Sequence, residues 1–457
     1  MTDTVYDMVI LGAGSGGYAA ALRGAQLGLR VALIEADKIG GTCLHRGCVP
    51  TKAILHSAET AEAVREAASV GVNAVFQGLD MPAVQKYKNG VVSRMHKGLE
   101  GLVASRGIEV VRGWGRLVAK DTVEVNGRRY RGRNIVLASG SLSKTIGQEI
   151  SGPVMTSDQA LELNRVPSSA VILGGGVIGV EFASAWASMG SRVTIIEGLP
   201  RLVPNEDEAV SKQLERAFRK RKIAFKTNTM FESVERTATG VTVRTADSKA
   251  YDAEVLLIAV GRGPATANLG YEEAGVAMDR GFVLADDYGR TNVDGVWAVG
   301  DIVPGVQLAH RGFAQGIVVA EKIAGLDPRP LDDTLVPKVT FCEPEIASVG
   351  LSEAQAIEIH GAEKVTTAEF NVAGNAKSQI LGTQGFVKLV SLKDGPVVGF
   401  HAIGTRMGEQ IGEGQLIVSW EADAHDVASL VHAHPTQNET IGEAAMALAG
   451  KPLHNHG

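Results

Sequence analysis

The chain has 457 residues, 45% of them hydrophobic and 21% charged, with a net charge of -6. That length exceeds one core and divides into about three domains; the charge leaves no electrostatic footprint for nucleic acid, and no apolar run reaches the ~20 residues of a membrane span. Three cysteines are too few for a disulfide scaffold, and "MTDTVYDMVILGAG" has no basic region ahead of its apolar stretch, so a reducing, cytoplasmic setting is expected.

In chain order the first element is a βαβ unit. "VILGAGSGG" at 9–17 is a short apolar run entering a glycine turn; an alanine-rich helical stretch follows, then a strand, "RVALIEA" at 30–36. The whole unit recurs as "VILGGGVIG" at 171–179 and "RVTIIEG" at 192–198, both offset by 162 residues. The glycines fall as G-x-G-x-x-G, at Gly12, Gly14 and Gly17 and again at Gly174, Gly176 and Gly179. The first permits the tight turn, the second lets a diphosphate approach the backbone, and the third lets helix and strand pack closely. The diphosphate then rests on the positive end of the helix. Glu35 and Glu197, each 23 residues past its first glycine, take the adenosine ribose hydroxyls. Two copies imply two dinucleotides. Glu197 repels a 2′-phosphate, so the second site is expected to take NAD over NADP, with Arg201 four residues further on.

Between the two copies lies "GGTCLHRGCVPTKA", residues 40–53, which carries Cys43 and Cys48. A metal site needs four ligands as a rule, and C-x4-C supplies two with no matching pair elsewhere. A static staple would be unusual in a reducing compartment. Five residues along a regular helix advance ~7.5 Å, beyond the ~4.4–6.8 Å Cα separation of a disulfide. Helix distortion is therefore expected if the sulfurs bond, with Gly47 and Pro50 as the residues suited to it. Strained disulfides are readily reduced, and the preferred reading is a redox-active pair. A flavin can pass two electrons between a disulfide and a nicotinamide, so the dinucleotide directly upstream is expected to be FAD.

Near the C-terminus stands "HAHPTQNE" at 432–439. A thiol must lose its proton to act as a nucleophile, and an imidazole titrates in the right range to take it. On the residues alone His434 is a candidate base, with Glu439 in reach to orient it if the chain turns into a helix there, and ordinary surface histidines are the rival reading. His432 reads as structural, His454 and His456 as a disordered surface tail, and Cys342 as a buried apolar residue.

The cysteine stretch resembles the active-site signature of the flavoprotein disulfide reductases, G-G-T-C-x4-C-x-P-x-K, and the likeness runs along nearly the whole chain. "TNVDGVWAVGD" at 291–301 resembles that family's second FAD motif, and "LAHRGFAQG" at 308–316 its helix start at the flavin ring. "VTFCEPEIASVGLSE" at 339–353 resembles the opening of its interface domain. Within the family, "HAHPT" and "TKAILHSAE" are similar to the dihydrolipoamide dehydrogenases, and the ending "KPLHNHG" lacks the cysteine pair of mercuric reductases. "ASGSLSKTIGQEI" departs from the usual Pro-Gly turn, and "AVGRGPAT" from the commoner "AVGRxPNT".

The resemblance implies an α/β fold: two Rossmann-like dinucleotide-binding domains, the NAD unit nested in the FAD unit, plus a C-terminal α+β dimerisation domain. The expected boundaries are 1–145 with 266–335 for FAD, 146–265 for NAD, and 336–457 for the interface. It implies FAD contacts from Gly12, Gly14, Gly17, Glu35, Gly41, Thr42, Lys52, Gly115, Ser139, Gly140, Asp301 and Ala309. For NAD it implies Gly174, Gly176, Ile178, Gly179, Glu181, Glu197 and Gly261, with Lys52 and Glu181 paired beside the flavin. It further implies catalysis by Cys43, Cys48, His434 and Glu439, no metal, and a homodimer whose base serves the other subunit. Lipoyl domains of a 2-oxo acid dehydrogenase complex are the expected partners, with nucleic acid and membrane excluded. Other NAD(P)H-dependent reductases of glutathione- or mycothione-like disulfides, and a non-catalytic docking subunit, are the rival readings.

Overall fold

The computed structural model describes residues 4–454. The chain opens with β1 (Val5–Leu11), α1 (Ser15–Gln26) and β2 (Val31–Glu35), followed by the consecutive helices α2 (Gly41–Arg46) and α3 (Cys48–Glu66) and the long α4 (Met81–Ser105). Strands β3 (Glu109–Arg112), β4 (Gly115–Ala119), β5 (Thr122–Val125) and β6 (Arg128–Leu137) complete this stretch. The strand order is β3-β2-β1-β6-β5-β4. Val9, Ile10, Leu33, Ile34, Ile135 and Val136 are all fully buried. Parallel strands covered on both faces need such unbroken apolar runs rather than alternation. One edge of β6 is shared between two partners. Its first half pairs antiparallel with β5, while Ile135–Leu137 pair in parallel with Val296–Ala298, far along the chain.

The chain leaves this sheet through β7 (Ser141–Ser143) and builds β8 (Val154–Met155), α5 (Ser157–Ala160), β9 (Ser169–Leu173), α6 (Val177–Met189), β10 (Arg192–Ile196), α7 (Glu208–Lys220) and β11 (Ala224–Lys226). An antiparallel set, β12 (Phe231–Thr237), β13 (Gly240–Thr245) and β14 (Ala250–Ala253), precedes β15 (Val255–Ile258) and β16 (Arg262–Pro264). The second sheet is wholly parallel in the order β11-β10-β9-β15-β8. Exit and return run side by side, because β16 pairs antiparallel with β7, Arg262 opposite Ser143. After the small hairpin β17 (Met278–Asp279) and β18 (Phe282–Val283), the chain re-enters the first sheet as β19 (Val296–Ala298) and continues into α8 (Ala309–Ile323). Helix α8 approaches α1 closely: a Cβ on Gly316 would lie 2.3 Å from Gly16 O.

The remaining chain forms a five-stranded antiparallel sheet, β20-β21-β24-β23-β22, from β20 (Lys338–Thr340), β21 (Glu345–Gly350), β22 (Val365–Asn371), β23 (Phe386–Leu392) and β24 (Val397–Gly404). Helices α9 (Glu353–His360) and α10 (Ala376–Leu381) lie in its connections; α11 (Met407–Ser419), α12 (Ala424–Ala428) and α13 (Glu439–Leu448) follow it. Val387, Leu389, Phe400, Ile441 and Ala444 form its fully buried core. A buried ionic cluster joins this sheet to the start of α7. Lys388 Nζ donates to Asp207 Oδ1 at 2.9 Å and Glu353 Oε2 at 2.7 Å, and Ser348 Oγ donates to Glu206 Oε2. His401, fully buried, bonds the Leu351 carbonyl through Nε2.

Two tail expectations are affected. His454 is held rather than loose, its Nδ1 2.7 Å from Glu443 Oε1 and its backbone N–H on Glu443 Oε2. A buried carboxylate on α13 accounts for this, since it needs a partner to offset its lost hydration. His456 lies outside the described residues. Cys342 is buried, as expected. Among the described residues no helix is long and apolar enough to cross a membrane.

Candidate active site

The two glycine turns are superposable in their local physics. Gly12 and Gly174 have φ of 106° and 103°, and a Cβ there would lie 2.3 and 2.4 Å from the carbonyl oxygens of Ala138 and Ala259. Side chains are thus barred twice, by conformation and by contact. A Cβ on Gly17 or Gly179 would strike the carbonyl oxygen of the first glycine at 1.8 or 1.9 Å. At Gly14 and Gly176, by contrast, nothing lies within 4 Å. Each turn therefore keeps an open concavity at the N-terminus of α1 or α6, where no side chain caps the free N–H groups. These cradles fit dinucleotide diphosphates.

The acidic residues repeat with the same geometry. Glu35 accepts from the N–H groups of Ala13 at 2.7 Å and Asp37 at 2.8 Å, and Glu197 from those of Gly175 at 2.5 Å and Leu199 at 2.7 Å. Each carboxylate keeps free lone pairs for ribose hydroxyls. Arg201 turns its guanidinium to the carbonyls of Pro204 and Glu206, away from the strand end that Glu197 occupies.

The cysteine segment is anchored on the first cradle. A Cβ on Gly41 would lie 2.6 Å from Gly14 Cα, so α2 starts in backbone contact with the diphosphate turn. The distortion expected between the cysteines is a full helix break: Gly47, at φ -144° and ψ -112°, separates α2 from α3. Thr51 Oγ1 then closes on the Gly47 carbonyl at 2.6 Å. Cys43 and Cys48 are both free thiols, joined by a hydrogen bond from one sulfur to the other. Cys48 is pulled down to about 7, first by the hydrogen bond from Cys43 and further by the Lys52 charge, against the burial that the cleft walls impose. Cys43 is pushed far up, chiefly as the donor of that bond. Cys48 has solvent access and Cys43 is half-buried.

Lys52, on α3, donates to both oxygens of Glu181 at 2.9 Å. Glu181 sits on α6, 3% exposed, and also accepts the Phe341 N–H at 2.9 Å. The Lys52 ammonium lies 4.6 Å from the centroid of the Phe341 ring. Three lobes meet at this pair. Tyr18 lies outside the quoted motifs, and Phe341 lies in the 339–353 stretch without being singled out by it. Burial, and then the two sulfurs, raise the Tyr18 phenol to about 12, and its ring packs on Phe313.

Of the other expected cofactor residues, Asp301 accepts from Ser141 Oγ at 2.5 Å, and Arg262 donates to Ser141 and Ser143 across the crossing strands. Ser139 Oγ accepts from the buried Tyr271 hydroxyl at 3.0 Å. Thr42 lies in α2, Ala309 is the first residue of α8, and Ile178 packs at the start of α6. Gly140 and Gly261 face open space. Gly115 differs: the room a Cβ would need is filled by Leu11 at 2.5 Å and Ile34 at 3.0 Å, so that side of it belongs to the sheet interior.

His434 projects from the loop between α12 and α13, 72% exposed, with Nδ1 2.7 Å from Glu439 Oε1. Glu439 is the first residue of α13, and its Oε2 accepts the Thr436 N–H at 2.8 Å. Burial pushes its carboxyl up, but the Thr436 N–H and His434 outweigh that and hold it below the usual range. Within one chain His434 makes no hydrogen bond to either cysteine. Among the described residues no cluster of His, Cys, Asp or Glu can hold a metal.

Residues 6–316 match the family described as pyridine nucleotide-disulphide oxidoreductase, and 336–445 match its dimerisation domain. The chain belongs to this family. Its relatives include a dihydrolipoyl dehydrogenase of Bacillus subtilis (strain 168), 37% identical over 99% of both chains. Another is that of Geobacillus stearothermophilus, 37% identical over 98% of this chain and 97% of the other. Among solved structures, LpdA from Mycobacterium tuberculosis superposes with a TM-score of 0.90 at 26% identity, covering 96% of this chain and 99% of that one. The HOCl-induced flavoprotein disulfide reductase RclA from Escherichia coli gives 0.86 at 28%, covering 96% and 99%. This family member is an FAD- and NAD-using oxidoreductase acting on sulfur. Its dimerisation domain supports a homodimer.

Proposed function

We propose that the chain oxidises protein-bound dihydrolipoamide with NAD as final acceptor. The observation that carries the reading is the Cys43–Cys48 pair, set across the Gly47 break at the head of α3, one turn before the Lys52 that Glu181 anchors. Such a pair exchanges with a dithiol. The substrate class follows the dihydrolipoyl dehydrogenases that the chain matches over nearly its full length.

His434 of one subunit takes a proton from a substrate thiol, while Glu439 keeps the imidazole oriented and stabilises its charge. The thiolate attacks Cys43 Sγ of the oxidised pair in the other subunit; the Cys43–Cys48 bond breaks and Cys48 leaves as a thiolate. The second substrate thiol loses its proton to Cys43 as its sulfur closes on the first, and the mixed disulfide breaks. The substrate is now a disulfide, Cys43 carries one proton, Cys48 carries the charge, and His434 holds the other proton for solvent. Lys52, fixed by Glu181, favours negative charge at Cys48 and beside it.

Bound FAD supplies a two-electron carrier from the thiolate side, and bound NAD the hydride acceptor. The first cradle with Glu35, Gly41, Lys52 and Asp301 would hold FAD, and the second with Glu197 would hold NAD. The corresponding division is 1–145 with 266–335, 146–265, and 336–457. The partners on this reading are lipoyl domains of a 2-oxo acid dehydrogenase complex, met in the cytoplasm.

The test is anaerobic mixing of the purified protein with dihydrolipoamide, then NAD, following long-wavelength absorption and NADH. Absorption change followed by NADH formation is expected for the native protein, and neither for Cys48→Ala. If NADH bleaches and re-colours the protein while dihydrolipoamide does nothing, a different disulfide is the substrate.

A further inference from the structure

The exposed His434 ring has one fixed side-chain contact, Glu439, so its position depends on how the loop 429–438 is held. Four residues around it are tied down. The Thr436 carbonyl accepts from Asn375 Nδ2 at 2.9 Å, and Gln437 Nε2 donates to the Thr405 carbonyl at 2.9 Å. The remaining two ties converge on one side chain. Glu413, on α11, has Oε1 2.7 Å from His432 Nε2 and accepts Asn438 Nδ2 on Oε2 at 2.8 Å. His432 precedes the base by two residues, and Asn438 follows it by four.

The pocket around this contact is built for an imidazole. His432 is 12% exposed and Glu413 24%. A Cβ on Gly442, one turn into α13, would come within 2.7 Å of His432 Nδ1, so the absent side chain makes room for the ring. Helix α11 is itself immobilised, with Gly414 against the Phe400 ring in the fully buried sheet core. Glu413 is therefore a carboxylate on a packed helix, with one oxygen committed to each side of the base in the loop. Its charge state agrees: burial pushes the carboxyl up, but His432 and Asn438 outweigh it and hold it below its ordinary value. His432 is raised by Glu413.

We propose that Glu413 is a positioning residue for the base: by clamping His432 and Asn438 it fixes the loop that presents His434 and Glu439 to the other subunit. This rests on the reading of His434 as base. Presentation matters because a misplacement of about 1 Å can cost on the order of 10²-fold in rate. It also gives the first histidine of "HAHPT" a role, as the clamp's grip rather than a second base.

The experiment compares two activities of the flavin-loaded dimer. One is dihydrolipoamide-to-NAD turnover, which needs the base; the other is NADH-to-ferricyanide electron transfer, which needs both nucleotide sites but no thiol proton transfer. Glu413→Gln is expected to lower the first about 10- to 100-fold, displace its pH profile, and leave the second intact. His432→Leu should behave alike, whereas His432→Gln, which keeps a donor for Glu413, should restore most turnover. Unchanged thiol kinetics and pH profile in Glu413→Gln would overturn the clamp. So would parallel loss of both activities in Glu413→Gln and His432→Leu, since that is mere structural damage. His434→Gln, measured alongside, separates the two readings: if it keeps full thiol turnover, the base assignment itself fails.

Discussion

Cys48 occupies the first turn of α3, where unpaired backbone N–H groups favour negative charge, and Lys52 follows one turn later. Cys43, at the far side of the Gly47 break, keeps the proton. The two sulfurs are thereby made unequal, the hydrogen bond from Cys43 and then the Lys52 charge favouring the thiolate at Cys48. Removing the Lys52 charge should raise the Cys48 titration from about 7 by roughly one unit, the usual effect of losing a close opposite charge. Alkylation of the reduced protein across pH, with mass spectrometry to assign the labelled cysteine, measures this in Lys52→Met against the native chain. At this scale the sequence was readable where chemistry restricts residue type. The glycine between the two cysteines breaks the helix, and the histidine bonds the carboxylate five residues on. Tyr18, Phe341 and Glu413 were illegible, because a tyrosine, a phenylalanine or a glutamate carries no pattern until the fold brings it to its neighbours.

The two βαβ units show how far an element can be read before it is seen. Their strands, turns and acidic residues repeat down to the individual N–H groups that Glu35 and Glu197 accept, because one backbone solution satisfies the diphosphate cradle both times. The elements nevertheless serve different nucleotides on the proposed reading, and this gives a paired test. Gly12→Ala and Gly174→Ala each introduce a methyl group less than 2.5 Å from a carbonyl oxygen in a conformation unsuited to it. The first should yield protein with little bound flavin. The second should keep its flavin and its yellow colour while the NADH concentration for half-maximal rate rises steeply. Flavin absorbance per chain and an NADH titration decide it; flavin loss from Gly174→Ala would reverse the assignment of the two cradles. What periodicity did not reveal is the association of elements across lobes. Helix α8 approaches α1 through Gly316 and Gly16, yet each sequence reads as an ordinary helix; the tie of α3 to α6 at Lys52 and Glu181 was expected from the resemblance and not from periodicity. The tail gave an opposite error: His454 looked free in sequence but is claimed by Glu443, whose burial depends on where α13 packs.

At the scale of the whole molecule, the cluster between α7 and the C-terminal sheet sets an acid limit. Burial drives Asp207 up, but hydrogen bonds from Lys388 and the Glu353 N–H hold it below its usual value; burial holds His401 down, against its bond to Leu351. Both groups bind fewer protons folded than unfolded. Their stabilisation is therefore complete above the unfolded histidine pKa of about 6.5 and is lost as pH falls, first at His401 and then at Asp207. Glu343 works in the opposite sense: raised to about 7 by burial, it favours the folded state at low pH and loses that effect as pH rises through its folded value. The cluster's share is thus read as a difference. The thermal midpoint should fall more steeply between pH 7 and 5 for the native protein than for His401→Gln, which keeps a donor for the Leu351 carbonyl but cannot take up a proton. The shared edge of β6 bears on something else, the order in which the protein can be made. Its last partner, Val296–Ala298, leaves the ribosome only after the entire second nucleotide unit has been translated, a delay of roughly 8–30 s at ordinary synthesis rates. Until then the nascent chain already bears the glycine turn, Glu35 and both cysteines, but its founding sheet is a strand short and Asp301 has not been added. Arrested nascent chains of increasing length should accordingly begin to retain flavin only when residues 296–301 have cleared the exit tunnel, so that the first-written half of the site waits on the last-written strand of its own sheet.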